Sequence, residues 1–159
     1  MRSYDFYRPA RKLRPGGNRE QKHHGISKVR LTRVADRVLQ SYGLSGMADP
    51  ADIAASHTRL TEALTSTYRI RRVHREWPVS LRLKNGQRVK GWIDLLLETD
   101  EGSVIVDHKS FPGRDAAGRV ARYAPQLRMY ANALEAAGAG PVLAMLIHLP
   151  VLGKVFGVG

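Results

Sequence analysis

Residues 91 to 109 constrain the fold of this chain more than any other stretch. Gly91-Trp92-Ile93-Asp94 opens one apolar, strand-like run, and Val104-Ile105-Val106-Asp107-His108-Lys109 forms a second. The polar turn Thr99-Asp100-Glu101-Gly102 lies between them. A hairpin symmetric about the Asp100–Glu101 bond sets Asp94 opposite Asp107, and the period of two puts Lys109 on the same face. Like charges facing each other across a ladder destabilise it unless a positive group binds between them. The spacing therefore predicts a cation site.

The preceding segment, Val73 to Leu83, also reads with a period of two, and Pro78 within it implies an edge strand or a bulge. Asn85-Gly86 marks the turn into a strand from Val89 to Glu98. Pairing Leu83 with Arg88 sets leucines against Arg88 and Lys90. Pairing Leu83 with Val89 matches apolar residues and is the better register. It places Glu76, Pro78 and Asp94 on one face, with Glu76 diagonal to Asp94. The other face collects Val79, Leu81, Leu83, Val89, Ile93, Leu95, Leu97, Val104 and Val106 as a core surface. Trp92, Leu96 and Ile105 share the acidic face, so that face is not expected to be fully solvated.

Elsewhere the pattern is helical, then mixed. Ile26 to Tyr42 carries the stripe Ile26, Val29, Val34, Val38 and Leu39, with Gly43 placed to cap it. Asp49-Pro50 starts a second helix running to about Tyr68, with Ile53, Leu60, Ala63 and Leu64 on one face and His57 at the surface. After Lys109 a loop leads to a helix ending near Ala137, with the stripe Tyr123, Leu127, Tyr130 and Leu134. Pro125 predicts a regular start near Ala124, or a kink if the helix begins earlier. Gln126 and Tyr130, four apart, are neighbours on it. Val142 to Leu149 reads as a buried strand and Lys154 to Val158 as a last short one.

Charge bears on the partner. The 159 residues carry a formal net charge of +12, which points to a polyanion, nucleic acid before membrane. Ten basic residues against Asp5 and Glu20 lie before residue 34. Residues 1–25, rich in arginine with Pro9, Pro15 and Gly16-Gly17, read as a basic flexible arm, and 26–159 as one domain. There is no cysteine, which excludes disulfides and thiolate zinc sites. No apolar stretch is long enough to span a bilayer and no secretory pattern opens the chain, so a cytoplasmic protein is expected.

Three carboxylates on one face form a hard-oxygen site suited to Mg²⁺ or Mn²⁺. A neighbouring lysine can hold a water or stabilise charge building on phosphorus. With a polyanion as partner, this chemistry is metal-assisted phosphodiester hydrolysis.

The order Glu76, Gly91-Trp92-Ile93-Asp94, Asp107-His108-Lys109, then Gln126 and Tyr130, resembles the PD-(D/E)XK nuclease superfamily. It looks most like the RecB/AddA-type nuclease domain at the C-terminus of helicase–nucleases, with its G-x-x-D strand, D-x-K strand and Q-x-x-x-Y helix. Asp107 through Gly113 and His148-Leu149-Pro150 are similar to members attached to UvrD-type helicases, and the resemblance covers about residues 70 to 152. It implies an α/β, restriction-endonuclease-like mixed β-sheet flanked by helices. It also implies Asp94, Asp107 and the His108 carbonyl as metal ligands, Glu76 as the family's early acid, and Lys109 as the catalytic lysine. Gln126 and Tyr130 would contact DNA or order the site. The expected activity is a Mg²⁺- or Mn²⁺-dependent (exo)deoxyribonuclease acting on single-stranded or duplex DNA ends in repair or recombination. The alternative is a catalytically weakened DNA-binding module or an accessory subunit of a helicase–nuclease. Two departures stand out. The histidine usual in the family's first helix is missing after Gly25, with His23 and His24 preceding it instead, and no G-x-x-x-x-G-K-[ST] motif is present.

Overall fold

The computed structural model describes residues 27–110 and 115–159. They divide within one helix into two compact units, one holding residues 27–62 and the other those from Ala63 onward. The arm assigned to residues 1–25, with His23 and His24, lies outside the described residues.

In the first unit, α1 (Lys28–Ser41) starts where the Ser27 side chain accepts from the Arg30 N–H, one of the donors a helix start leaves unpaired. It ends as expected at Gly43, whose φ of 68° lets the Leu44 N–H turn back to the Leu39 carbonyl at 2.8 Å. Of the expected stripe only Leu39 is buried among the described residues, and Ile26 lies outside them. Ala35 and Leu39 are buried, whereas Val29, Val34 and Val38 are exposed. Helix α2 (Pro50–Thr67) begins with proline at its first position, and the Asp49 carboxylate accepts from the Ala51 N–H at 2.7 Å. Ala54, Leu60 and Leu64 are its buried apolar members, and His57 is exposed.

The second unit is built on strands β1 (Ile70–Arg82), β2 (Arg88–Thr99), β3 (Ser103–His108), β4 (Val142–Leu149) and β5 (Lys154–Val158), with α3 (Ala116–Ala136) between β3 and β4. They form one sheet in the order β1-β2-β3-β4-β5. All neighbours are antiparallel except β3 and β4, whose parallel pairing requires the crossover that α3 supplies. This mixed sheet with its helices is the restriction-endonuclease-like α/β arrangement. Pro78 is tolerated because β1 is an edge strand.

The β2–β3 register is the expected one: Leu95 meets Val106, Leu96 meets Ile105, and Leu97 meets Val104. The β1–β2 register differs from the expected one by two residues. Leu81 pairs with Val89 and Val79 with Gly91. A three-residue turn sets this register: the Leu83 N–H donates to the Gln87 carbonyl at 2.8 Å, and Gly86 takes a φ of 84° that glycine adopts without penalty. A shift of two preserves facing, so the faces assigned from sequence survive at the hairpin end.

They do not survive along the whole strand. Gly91 lies against Tyr130 of α3, and Val79 and Ile93 share a core cluster with α3. So do Leu96 and Ile105, which strict alternation would put on the other face. The two strands exchange faces between Ile93 and Leu96. Glu76, with φ 51° and missing from the ladder opposite Asp94, marks the break. Leu97, Val104 and Val106 are buried as well, so the central sheet is apolar on both sides.

Helix α3 starts at Ala116, upstream of Pro125, the second of the two starts the sequence allows. Asp115 caps it, its carboxylate accepting from the Gly118 N–H at 2.9 Å, and Ala116 and Val120 are buried in the extra turns. Pro125 sits exposed inside the helix. An interior proline forfeits one backbone bond and crowds the preceding turn, at a cost of ~3 kcal/mol that the packed upstream turns offset.

Candidate active site

Backbone pairing of β2 with β3 ends at Leu95–Val106. One residue further, the Asp94 carboxylate takes over as acceptor: its Oδ2 receives the His108 N–H at 2.7 Å. Asp94 thereby holds the end of β3 in place while facing Asp107, as the hairpin symmetry requires.

Asp107 is 1% exposed. Its Oδ2 lies 2.7 Å from Lys109 Nζ, yet neither carboxylate oxygen is met by an aligned hydrogen-bond donor among the described residues. A buried carboxylate so weakly satisfied is costly, and its cost appears in its protonation. Burial pushes the Asp107 carboxyl above the usual carboxylate range, outweighing the pull of Lys109, and the charge of Asp94 adds to the rise. For Lys109, burial acts to lower the ammonium. The hydrogen-bonding contact and charge of Asp107, with the charge of Asp94, outweigh it and hold the lysine above its ordinary value. The Lys109 ammonium also stands 5.1 Å from the centroid of the Tyr123 ring on α3, and Arg119 lies 5.7 Å from the same ring.

On α3, Gln126 Nε2 donates to Tyr130 Oη at 2.6 Å, as the i,i+4 spacing anticipates. Tyr130 is buried against Gly91, where a Cβ would come within 2.5 Å of its ring. The glycine of G-x-x-D and the tyrosine of Q-x-x-x-Y are thus two sides of one contact.

Two participants escaped the sequence reading. Tyr123 was assigned only to the apolar stripe, although its place seven residues before Tyr130 put it on the same helix face. His148, singled out in the sequence only as part of a buried strand and of the His148-Leu149-Pro150 resemblance and given no role, is His108's partner on β4: their Nδ1 atoms are 2.9 Å apart, and the His148 carbonyl accepts the Lys109 N–H at 2.9 Å. A parallel partner across a helical crossover leaves no local signal in sequence.

The expected gathering of three acids is not formed. Among the described residues, no group of three or more His, Asp or Glu side chains is close enough to hold a metal ion. Asp94 and Asp107 are together. Glu76 stands exposed at the break in β1. Trp92, expected to help shield the acidic face, is 60% exposed, because the exchange of faces turns it away from Leu96 and Ile105, which are buried. The residues present nonetheless fit a hard divalent cation, since the unsatisfied Asp107 oxygens and the Asp94 carboxylate are anionic oxygen donors.

The family model of the PD-(D/E)XK nuclease superfamily matches residues 5–153. The chain belongs to the PD-(D/E)XK nuclease superfamily. Members of that superfamily are generally nucleases and typically use divalent metals. A solved structure described as "Crystal structure of SSO0001" is similar at 17% identity, with a TM-score of 0.41, covering 83% of this chain and 61% of that one. The chain thus spans about three fifths of that structure's length. Comparison with curated proteins found no match. Among the described residues, no helix is long and apolar enough to cross a membrane.

Proposed function

We propose that the chain is a Mg²⁺- or Mn²⁺-dependent deoxyribonuclease of the RecB/AddA type, acting on DNA ends in repair or recombination. The observation that carries this reading is the buried Asp107 carboxylate, which faces Asp94, is paired with Lys109 through Oδ2 alone and has no partner for Oδ1 among the described residues. Asp94 and Asp107 would hold the ion, with the His108 carbonyl as a further oxygen donor. When bound, the ion polarises a phosphoryl oxygen and makes a coordinated water more acidic.

The protein's own groups have separable tasks. Lys109, held above its ordinary pKa, is a cation at neutral pH and therefore a donor rather than a base. It orients the attacking water or stabilises negative charge building on the phosphoryl oxygens. The water oxygen bonds to phosphorus, the bond to the ester oxygen breaks, and the departing oxygen takes up a proton. Tyr123 limits where the lysine head can stand, and Asp94 fixes the backbone at His108. Gln126 and Tyr130 brace β2 from beneath or contact DNA.

The test is cleavage of linear single- and double-stranded DNA with Mg²⁺ or Mn²⁺, with and without chelator. Chelator-sensitive cleavage that Asp107→Ala and Lys109→Ala each abolish supports the proposal, and equal activity in both variants and wild type sinks it. A second reading, a DNA-binding module or accessory subunit of a helicase–nuclease, draws on the ungathered third acid and the missing helix histidine. It requires salt-dependent DNA binding without cleavage in either metal.

A further inference from the structure

The far half of the β1–β2 hairpin presents a face that the proposed chemistry does not use. In β2, Arg88, Lys90 and Trp92 alternate with Gly91 and Ile93, which turn toward α3, so the first three project from the opposite side. Their cross-strand partners are Arg82, Ser80 and Pro78 in turn, and all six residues are exposed. Arg82 and Arg88 are directly opposed, an arrangement that costs stability. Among the described residues, no acid pairs with Arg82, Arg88 or Lys90. At the end nearest Asp94 stands Trp92, 60% exposed, with only Pro78 across from it. The chain's other tryptophan, Trp77, is less exposed, at 38%, and its ring meets that of His74 at 4.5 Å between centroids.

Charge on an edge hairpin protects it against pairing with other chains. That function would not leave an indole bare beside the cations, because exposed aromatic surface promotes the association that charge prevents. Unpaired cations and a free ring face, one after another along one strand, fit a polyanion with accessible bases. A duplex keeps its bases stacked on one another, so an indole gains a partner only where bases are free.

We infer that Arg82, Arg88, Lys90 and Trp92 form a track for single-stranded DNA, its phosphates along the cations and a base stacked on Trp92, on the face of the hairpin turned away from α3. The inference rests on the nuclease reading and names the form of its substrate.

Binding and cutting are measured separately. In the Trp77→Phe variant with chelator present, Trp92 is the sole tryptophan and no metal-dependent cleavage occurs. Oligothymidylate is expected to quench its fluorescence saturably, and a blunt DNA hairpin to quench it far less. Trp92→Ala is expected to weaken oligothymidylate binding about tenfold, the loss of one stacked base. Arg88→Gln and Lys90→Gln should each reduce the salt slope of binding by about 0.7. Absent quenching, unchanged affinity in Trp92→Ala, or equal quenching by the blunt hairpin overturns the track. A protein that cleaves DNA but fails these tests refutes the track alone. One that passes them but cleaves nothing with Mg²⁺ or Mn²⁺ refutes the nuclease reading alone.

Discussion

Gly91 offers a sharp test of how helix and sheet together build the site. Its backbone is not in the left-handed region, so an alanine there is opposed by space alone. The new Cβ would stand 2.5 Å from Tyr130 Cε1, 3.0 Å from Oη and 3.1 Å from Cζ. The ring cannot simply step aside. It is 4% exposed, its hydroxyl is held by Gln126 at 2.6 Å, and its neighbours Leu127, Ala131 and Leu134 are buried. Forcing a methyl into such packing costs about 1–3 kcal/mol. For a chain of this size each kcal/mol lowers Tm by roughly 2–4 °C, so Gly91→Ala should melt roughly 2–12 °C below wild type. The decisive assay is a double-mutant cycle in denaturant. With Tyr130→Leu, Gly91→Ala should cost nearly nothing, giving a coupling of about 1–3 kcal/mol. With Tyr130→Phe, which keeps the ring, the cost should persist. If Gly91→Ala is neutral, or destabilises equally with leucine at 130, the contact is not what requires glycine. Nuclease activity should fall by more than the unfolded fraction explains, because Asp94 is three residues along the same strand and small displacements at a reacting site are expensive.

Three further outcomes follow from the site. Asp107 has a folded-state pKa above its ordinary value, so its favourable contribution is complete at low pH and is lost as pH rises through that folded value. Asp107→Asn should therefore gain thermal stability on wild type between acidic and neutral pH while losing activity, and a constant Tm difference would contradict the raised pKa. Mg²⁺ or Mn²⁺ should raise the Tm of wild type but not of Asp107→Ala, measured by calorimetry with and without the ion. Glu76→Gly should relieve a φ of 51° that glycine adopts freely, raising stability by about 1 kcal/mol in denaturant unfolding. Unchanged cleavage is expected, because Glu76 stands apart from Asp94 and Asp107, and lost cleavage would show that the acid acts at the site.

Much of the site could be read directly because it is local. The turn at Asp100-Glu101 fixes its own register, which brings Asp94 and Asp107 face to face, and a helix of known pitch sets Gln126 beside Tyr130. These follow from the periods of two and 3.6 and hold over short spans whatever the rest of the chain does. The β1–β2 register is not fixed by the apolar pattern, because a shift of two keeps every residue on its face, and the turn around Gly86 makes the choice.

What tertiary structure alone decided lies where the regular period fails or where distant segments meet. The exchange of faces at Glu76 and Asp94 put Leu96 and Ile105 under α3 beside Ile93 and left Trp92 without them on the opposite face, and an alternation rule cannot anticipate its own interruption. The same break left Glu76 apart from the other two acids. The pairing of His148 with His108, and of Tyr130 with Gly91, depended on where the crossover helix returns the chain, a choice made by packing across the whole sheet. The sequence by itself determined that Asp94 and Asp107 face each other across the β2–β3 turn and that Gln126 neighbours Tyr130. The packed structure decided that Asp107 is buried and poorly satisfied, and burial is the source of its raised pKa.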